Sequence, residues 1–263
     1  MLGSGASLSP VITDMFNQQS ISFNGTDQYI DLPDALATKI AGTTNTTTAE
    51  FTISCWAKVD VISASGAIFK IQANTTDNQI NLLYHASSNE FRFSCKFGGT
   101  NVVSNGGTTN AAGDSYEGDD IWHNIVGTVS ATADTQSIWI DGSEKEKTTT
   151  TVPTLDGLFT KVSIGRNSVL NNAFWKGDLK DIAIYNRKLT DEEIGIIYNR
   201  TGPSGNKCID LASGSHVSNA DLVAFYRLED KGTVAFNQTE DFSLGLSYNG
   251  TYVNSPTRQT STP

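Results

Sequence analysis

Residues 91–97 read Phe91-Arg92-Phe93-Ser94-Cys95-Lys96-Phe97. Successive strand side chains point to opposite faces, so Phe91, Phe93, Cys95 and Phe97 share one face. Arg92, Ser94 and Lys96 share the other. This is the pattern of a strand with one side in a core and one side in water. The same period runs through 51–59, where Phe51, Ile53, Cys55, Ala57 and Val59 oppose Thr52, Ser54, Trp56 and Lys58. Further strands are expected at 21–23 and 29–32, on either side of the turn Asn24-Gly25-Thr26-Asp27. Others are expected at 68–71, 80–84, 121–129, 137–140, 162–165, 179–185 and 222–228. Residues 241–253 read as a turn and a final strand. Asp141-Gly142 is a hairpin turn. The polar stretches 41–50 and 98–120 read as loops.

One short helix is expected. Thr190 is its N-cap and Glu193, three residues on, completes a capping box. Ile194, Ile197 and Tyr198 then fall on one face, and Gly202-Pro203 ends the helix. Many short strands with turn signals between them predict an all-β chain folded as a two-sheet antiparallel sandwich, with one short helix and irregular terminal arms. The expected organisation is an arm over 1–19, one domain over 20–253, and a polar tail over 254–263. The late strands 221–230 and 246–253 complete the sandwich beside its first strand, which brings the termini close together.

The chain has 263 residues, of which 38% are hydrophobic, enough for one sizeable core. Its net charge is −10 and it contains no run of Lys or Arg. Nucleic acid and anionic membranes need a basic stripe, so neither is an expected partner. No apolar run approaches the ~20 residues that span a bilayer. Met1–Pro10 has neither a basic nor an apolar leader segment, so synthesis in a cytoplasm is expected. Cys55 and Cys95 lie inside apolar alternations and read as small buried hydrophobes; Cys208 leaves the count odd.

Six segments in order carry a resemblance. They are Ser20 to Ile30 (SISFNGTDQYI), Phe51 to Lys58 (FTISCWAK), Trp122 to Val129 (WHNIVGTV), Ile138 to Gly142 (IWIDG), Ile164 to Arg166 (IGR) and Phe174 to Ile194 (FWKGDLKDIAIYNRKLTDEEI). Together they resemble a concanavalin A-like lectin/glucanase domain of the laminin-G-like, pentraxin-like type, over residues 20–200. The resemblance implies a jelly roll of two curved sheets. The C-terminal part, Asp221 to Asp230 followed by Tyr248-Asn249-Gly250-Thr251, is similar to an arrangement in marine bacteriophage structural proteins. It implies a protein of the virion surface, either a capsid decoration or a tail or fibre component. Its partners would be other virion proteins, a second copy of itself in a homo-oligomer, and surface glycans. The alternative is a bacterial extracellular carbohydrate-binding module or adhesin; a glycoside hydrolase ranks third.

Glycosidases of this superfamily carry E-x-D-x-x-E on one strand, which sets a nucleophile and an acid about 5 Å apart. The chain lacks that motif, and no enzyme activity is expected. Its nearest pair, Glu144 and Glu146, flanks Lys145 after a hairpin turn and reads as solvated. Asp114, Glu117, Asp119 and Asp120 form the densest acidic cluster, the candidate for Ca²⁺. They lack the regular spacing of a calcium loop, and a solvated loop is the competing reading. Asp27, Asp31, Asp141 and Asp181 read as turn and strand-end hydrogen-bonding groups. His123, beside Trp122, reads as structural. Sugars stack on flat aromatic faces, which makes Trp56 the candidate ligand-binding residue, against packing inside the sandwich.

Overall fold

The structure is a computed structural model. It describes residues 19–41, 50–73, 78–149, 151–152, 159–200, 211–212, 217–228, 234–235 and 248–263. Two eight-stranded antiparallel sheets face one another. The first sheet runs in the order β10 (Ser143–Thr148), β9 (Thr135–Ile140), β8 (His123–Ser130), β3 (Glu50–Val59), β12 (Lys176–Tyr185), β1 (Ser20–Asn24) and β16 (Thr257–Gln259). β13 (Leu222–Tyr226) pairs with the remaining half of β12. The second sheet runs β14 (Val234–Ala235), β15 (Gly250–Val253), β2 (Tyr29–Asp31), β11 (Lys161–Ile164), β4 (Gly66–Gln72), β5 (Gln79–His85), β6 (Glu90–Phe97) and β7 (Thr100–Asn105). The jelly-roll sandwich is therefore the fold.

The inward set is the one the alternation marks. Phe91, Phe93, Cys95 and Phe97 meet Phe51, Ile53, Cys55 and Ala57 across the interior, all of them buried. Phe51 stacks on Phe69 of the second sheet, with ring centroids 6.2 Å apart. Gly127 of β8 faces the Phe93 ring so closely that an added Cβ would lie 2.3 Å from Cδ2. A glycine inside a strand here admits a ring from the opposite sheet. Cys55 and Cys95 are both buried free thiols, and burial pushes both thiols up from their ordinary titration range. Cys208 lies outside the described residues.

A second, smaller core lies on the outer side of the first sheet. Ile194 and Ile197 of helix α2 (Asp191–Asn199), with Leu189, Leu211 and Val217, cover Val126, Trp139, Ala183, Tyr185 and Phe225. Both halves of the expected capping box form: Glu193 N donates to Thr190 Oγ1 at 3.2 Å, and Thr190 N donates to Glu193 Oε2 at 2.9 Å. Thr52, on the outward face of β3, anchors the connector to the helix. Its hydroxyl donates to the Arg187 carbonyl and accepts from Leu189 N. Gly202-Pro203, expected to end the helix, lies outside the described residues.

Three expectations need correction. Residues 98–120 are not one loop, because Thr100–Asn105 form the edge strand β7. Its sequence TNVVSN sends only Val102 and Ser104 inward, too little for a visible alternation. A second helix, α1 (Asp34–Ala41), follows Pro33 and buries Leu36, Ala37 and Ile40. Eight residues hold too few turns to show a period. The stretch 254–263 is not a polar tail, since Thr257–Gln259 pair with β1 and Trp122 Nε1 donates to Ser261 Oγ. Backbone hydrogen bonds, not apolar side chains, hold that strand, so its composition carries no mark. The C-terminal arm is thus part of the first sheet. Ser20 Oγ donates to the Ser261 carbonyl beside β1, while β13 and β15, the strands expected there, pair with β12 and β2 instead; the arm up to residue 18 lies outside the described residues. Among the described residues no helix is long and apolar enough to cross a membrane.

Gly127→Ala is expected to cost about 1–3 kcal/mol of stability, the usual price of forcing volume into a filled core. Urea denaturation measures it, and an unchanged midpoint would contradict the close approach of Phe93.

Candidate functional site

The expected acidic site is built from the loop between β7 and β8. Its four carboxylates are placed apart and given separate tasks. Asp119 Oδ2 lies 3.0 Å from His123 Nε2 and accepts from Asn110 Nδ2, while its Oδ1 accepts from Ile121 N. Glu117 Oε1 accepts from Ile62 N at 2.7 Å, tying the loop to the segment after β3. Asp120 pairs with Lys58 Nζ at 2.8 Å. Asp114 is exposed, and its backbone closes a turn on Asn110. Ca²⁺ needs six to eight oxygens around one point. These side chains point to different partners, and no three His, Cys, Asp or Glu residues among those described are grouped to hold a metal. The set fits a loop staple and does not fit a calcium cage.

His123 is the centre of that staple. It is buried, its Nδ1 lies 2.7 Å from Asp141 Oδ2, and its ring meets the Tyr116 ring edge-on at 4.9 Å. Burial works against a charged imidazole, but the hydrogen bonds it donates to Asp141 and Asp119 outweigh it and raise the titration point. Asp141 also accepts from Asn124 N while holding the first position of the Asp141-Gly142 turn at φ +53°. The turn reading of Asp141 and the structural reading of His123 are parts of one device.

A cleft of about 360 Å³ adjoins this loop, lined by Ser22, Lys58, Asp60, Asp120, Asp178 and Gln259 among others. Its cation is already matched: Lys58 pairs with both Asp120 and Asp178. Burial disfavours the Lys58 charge, yet the two carboxylates raise its titration point overall. Glu144 and Glu146 do not face one another as a catalytic pair. A bulge separates them on β10; Glu144 accepts from Ser137 Oγ and Glu146 from Asn105 N.

Trp56 is not an open platform. It is 3% exposed and stacks under Tyr198 of α2, with ring centroids 6.0 Å apart. The helix that seals the first sheet takes the face on which Trp56 lies. The outer side of the second sheet is polar and open only in part: Ser163, Lys70, Gln72 and Ser94 are buried, while Asp31, Gln79, Asn81, Lys96 and Asn101 keep exposure. There Asp31, Ser163, Lys70, Asn81, Ser94 and Val103 form one register row across six strands. A second row runs through Lys161, Gln72, Gln79, Lys96 and Asn101. Arg166 flanks the first row, 3.4 Å above the Tyr29 ring and paired with Asp31 at 3.1 Å.

Lys70 at the middle of the first row stands out. It is 6% exposed, and its side chain makes no hydrogen bond or ion pair among the described residues. Burial alone lowers its titration point, to about 8. Its row neighbour Asn81 carries a buried Oδ1 with no partner. Sequence reasoning passed over both residues. The signal was present in Phe69-Lys70-Ile71-Gln72, where two polar side chains alternate with two core residues.

This arrangement defines the class: a lectin-like β-sandwich with one sealed and one polar outer face. A family model described as the concanavalin A-like lectin/glucanases superfamily, of the laminin-G type, matches residues 24–195, and the chain belongs to that family. A search of curated proteins returns no match. Among solved structures, a Bacteroides ovatus protein provisionally assigned as carbohydrate-binding is similar at TM-score 0.60 and 16% identity, over 92% of this chain and 60% of that one. The chain thus spans less than two thirds of that protein's length. The pentraxin of Limulus polyphemus is similar at TM-score 0.50 and 16% identity, over 69% of this chain and 82% of that one. The CBM40 of the Ruminococcus gnavus IT-sialidase, solved with alpha2,3 sialyllactose, is similar at TM-score 0.53 and 11% identity, over 69% and 98%. At these identities the likeness is one of fold.

The raised His123 titration point sets a sign. Its contribution is fully present below the unfolded value near ~6.5 and is lost as pH rises through the folded value. His123→Gln is therefore expected to cost more stability at pH 5.5 than at pH 8.5. Paired thermal melts check this, and an equal cost at both values would contradict a charged His123 between Asp119 and Asp141.

Proposed function

We propose that the chain is a non-enzymatic glycan-recognition domain that uses the outer face of the second sheet. The observation that carries this is the difference between the two outer faces. On the first sheet, Trp56, Val126, Thr128, Ser137 and Trp139 are all buried, so that face is taken by the protein itself. On the second sheet, Asp31, Gln79, Asn81, Arg92, Lys96 and Asn101 keep partial or full exposure, around a buried polar centre of Ser163, Lys70, Gln72 and Ser94. Rows of amides, hydroxyls and charged groups on rigid strands match the alternating hydroxyls of a sugar chain, and rigid strands hold such groups more exactly in place than loops do. The solved carbohydrate-binding neighbours support the same reading. The carboxylates that line the cleft, Asp120 and Asp178, are both paired with Lys58, which supports a binding role over hydrolysis.

The setting we propose is the surface of a bacteriophage virion, with the domain attaching the particle to glycans. The resemblance of the sequence at 221–230 and 248–251 to marine phage structural proteins supports it. The other reading is a bacterial extracellular carbohydrate-binding module, favoured by the Bacteroides ovatus likeness over 92% of the chain. Mass spectrometry of purified particles separates them: many copies per particle support the virion, and absence rejects it.

Binding to polysaccharide in affinity electrophoresis is expected, unchanged by EDTA and with no release of reducing sugar. Loss of binding on chelation would overturn the metal-independent site. Sugar release that disappears in Glu144→Gln/Glu146→Gln would overturn the non-enzymatic role.

A further inference from the structure

We propose that a cavity at the rim of the sandwich binds one neutral pyranose, the end or a side branch of a glycan. Phe174 and Ile62 supply its apolar wall, and Asn171, Asn172 and Ser63 supply its hydrogen-bonding groups. The inference rests on the glycan-binding reading above and adds a site apart from the face of the second sheet.

The cavity is built where the turn at Gly25, the stretch 62–65 after β3, and residues 171–174 with Lys176 come together. It encloses about 240 Å³, enough for a single sugar ring. Ser63, Ala64, Asn171 and Asn172 are exposed, so the cavity can be entered from water. Phe174 and Ile62 are half-buried. An apolar wall with a few polar groups is the usual form of a small-ligand site. The apolar side of a pyranose packs on an aromatic ring, and its hydroxyls need partners that donate and accept. Amides and hydroxyls provide both.

The wall is held firmly. Ala67 N donates to the Ala173 carbonyl and Trp175 N to the Gly165 carbonyl, both at 2.9 Å. Asn167 and Asn172 pair as an antiparallel bridge, and Trp175 is fully buried. Within this frame Ala173 is kept in the left-handed region, at φ +52°. Alanine has no polar side chain to support that conformation, and glycine would relieve it. Strain of this kind persists only where the surroundings impose it, and it gathers at ligand sites. Here it lies between Asn172 and Phe174.

The polar groups at the cavity are those the fold does not use. In the same loop, Asn167 is buried and its Oδ1 accepts from Gln72 and Leu170. Asn171 Oδ1 accepts from Arg166, which leaves its Nδ2 to donate elsewhere. Among the described residues, the Asn172 amide and the Ser63 hydroxyl have no hydrogen-bond partner. Charge is treated in the opposite way. Lys176, the charged residue among those described in the lining, donates to the Val61 carbonyl and pairs with Asp60. A matched cation gives an acidic sugar no advantage, so the ligand is neutral.

The test is ligand-observed NMR on the full chain. The probes are methyl glycosides of glucose, galactose, mannose, fucose and N-acetylglucosamine, with methyl glucuronide as the acidic comparison. At least one neutral glycoside is expected to bind, and more tightly than the glucuronide. Ser63→Ala/Asn172→Ala, at two exposed positions, is expected to weaken it about tenfold with the melting temperature unchanged. Phe174→Leu, which keeps an apolar side chain but removes the ring, is expected to weaken it as well. Lys145→Gln, on the exposed edge strand β10, is expected to leave it unchanged. Full binding by the double variant would overturn the proposal, and so would preference for the glucuronide. If none of the glycosides binds while polysaccharide still does in affinity electrophoresis, the rim site falls and the sheet-face reading stands. Failure to bind any glycan on a wider array would remove both.

Discussion

The constraint on which the rest depends is the contact between facing sheets at Phe93 and Gly127. A ring from β6 enters a gap in β8 that only a residue without a side chain leaves open. Sheets pack about 10 Å apart when side chains of ordinary size interleave. Here a large ring opposite glycine keeps the spacing while filling the middle of the core. The neighbouring pairs share the arrangement, with Phe51 stacked on Phe69 from the opposite sheet. Once these faces are fixed inward, period two fixes every other side chain. Lys70 must then point away from the core because Phe69 and Ile71 point into it.

The two outer faces have different fates, and the cause is connectivity. After β12 the chain turns through Arg187 and Leu189 onto the first sheet, held there by the Thr52 hydroxyl. Arg187 and Glu193 then make two hydrogen bonds of 2.7 Å that brace the start of α2. The helix can only settle over β3, β8 and β9, where Tyr198 covers Trp56. The sealed sheet is thereby given to stability. Trp56 is therefore spent on packing under the helix, well placed in the sequence but closed in the fold.

The sheet architecture was legible wherever alternation was strong, as in 51–59 and 91–97. It was hidden where a strand is held by its neighbours' backbone and not by its own apolar residues. β7 and β16 are such strands, and their polar sequences TNVVSN and TRQ look like loop. The capping box at Thr190 was legible because both of its halves are local. The pairing of His123 with Asp119 was within reach at four residues, but Asp141 is eighteen residues away and joins them only through the hairpin. The acidic cluster misled for the same reason: sequence shows carboxylates close together without showing that Ile62, His123 and Lys58 lie ready to take them. Lys70 was missed because a lysine between two core residues reads as ordinary outward alternation. Only burial and the lack of a partner set it apart.

His123 and Lys70 show two opposite treatments of a buried cation. His123 is matched by two carboxylates, and its charge is raised into use as a clamp on the loop before β8. Lys70 is equally enclosed by the fold but is matched by none, and its charge is disfavoured by burial alone. A chain with 28 acidic residues has no shortage of carboxylates to place beside it. Ser163 and Asn81 occupy the two flanking positions in its row instead. An aspartate at either would quench the ammonium and stabilise the free protein.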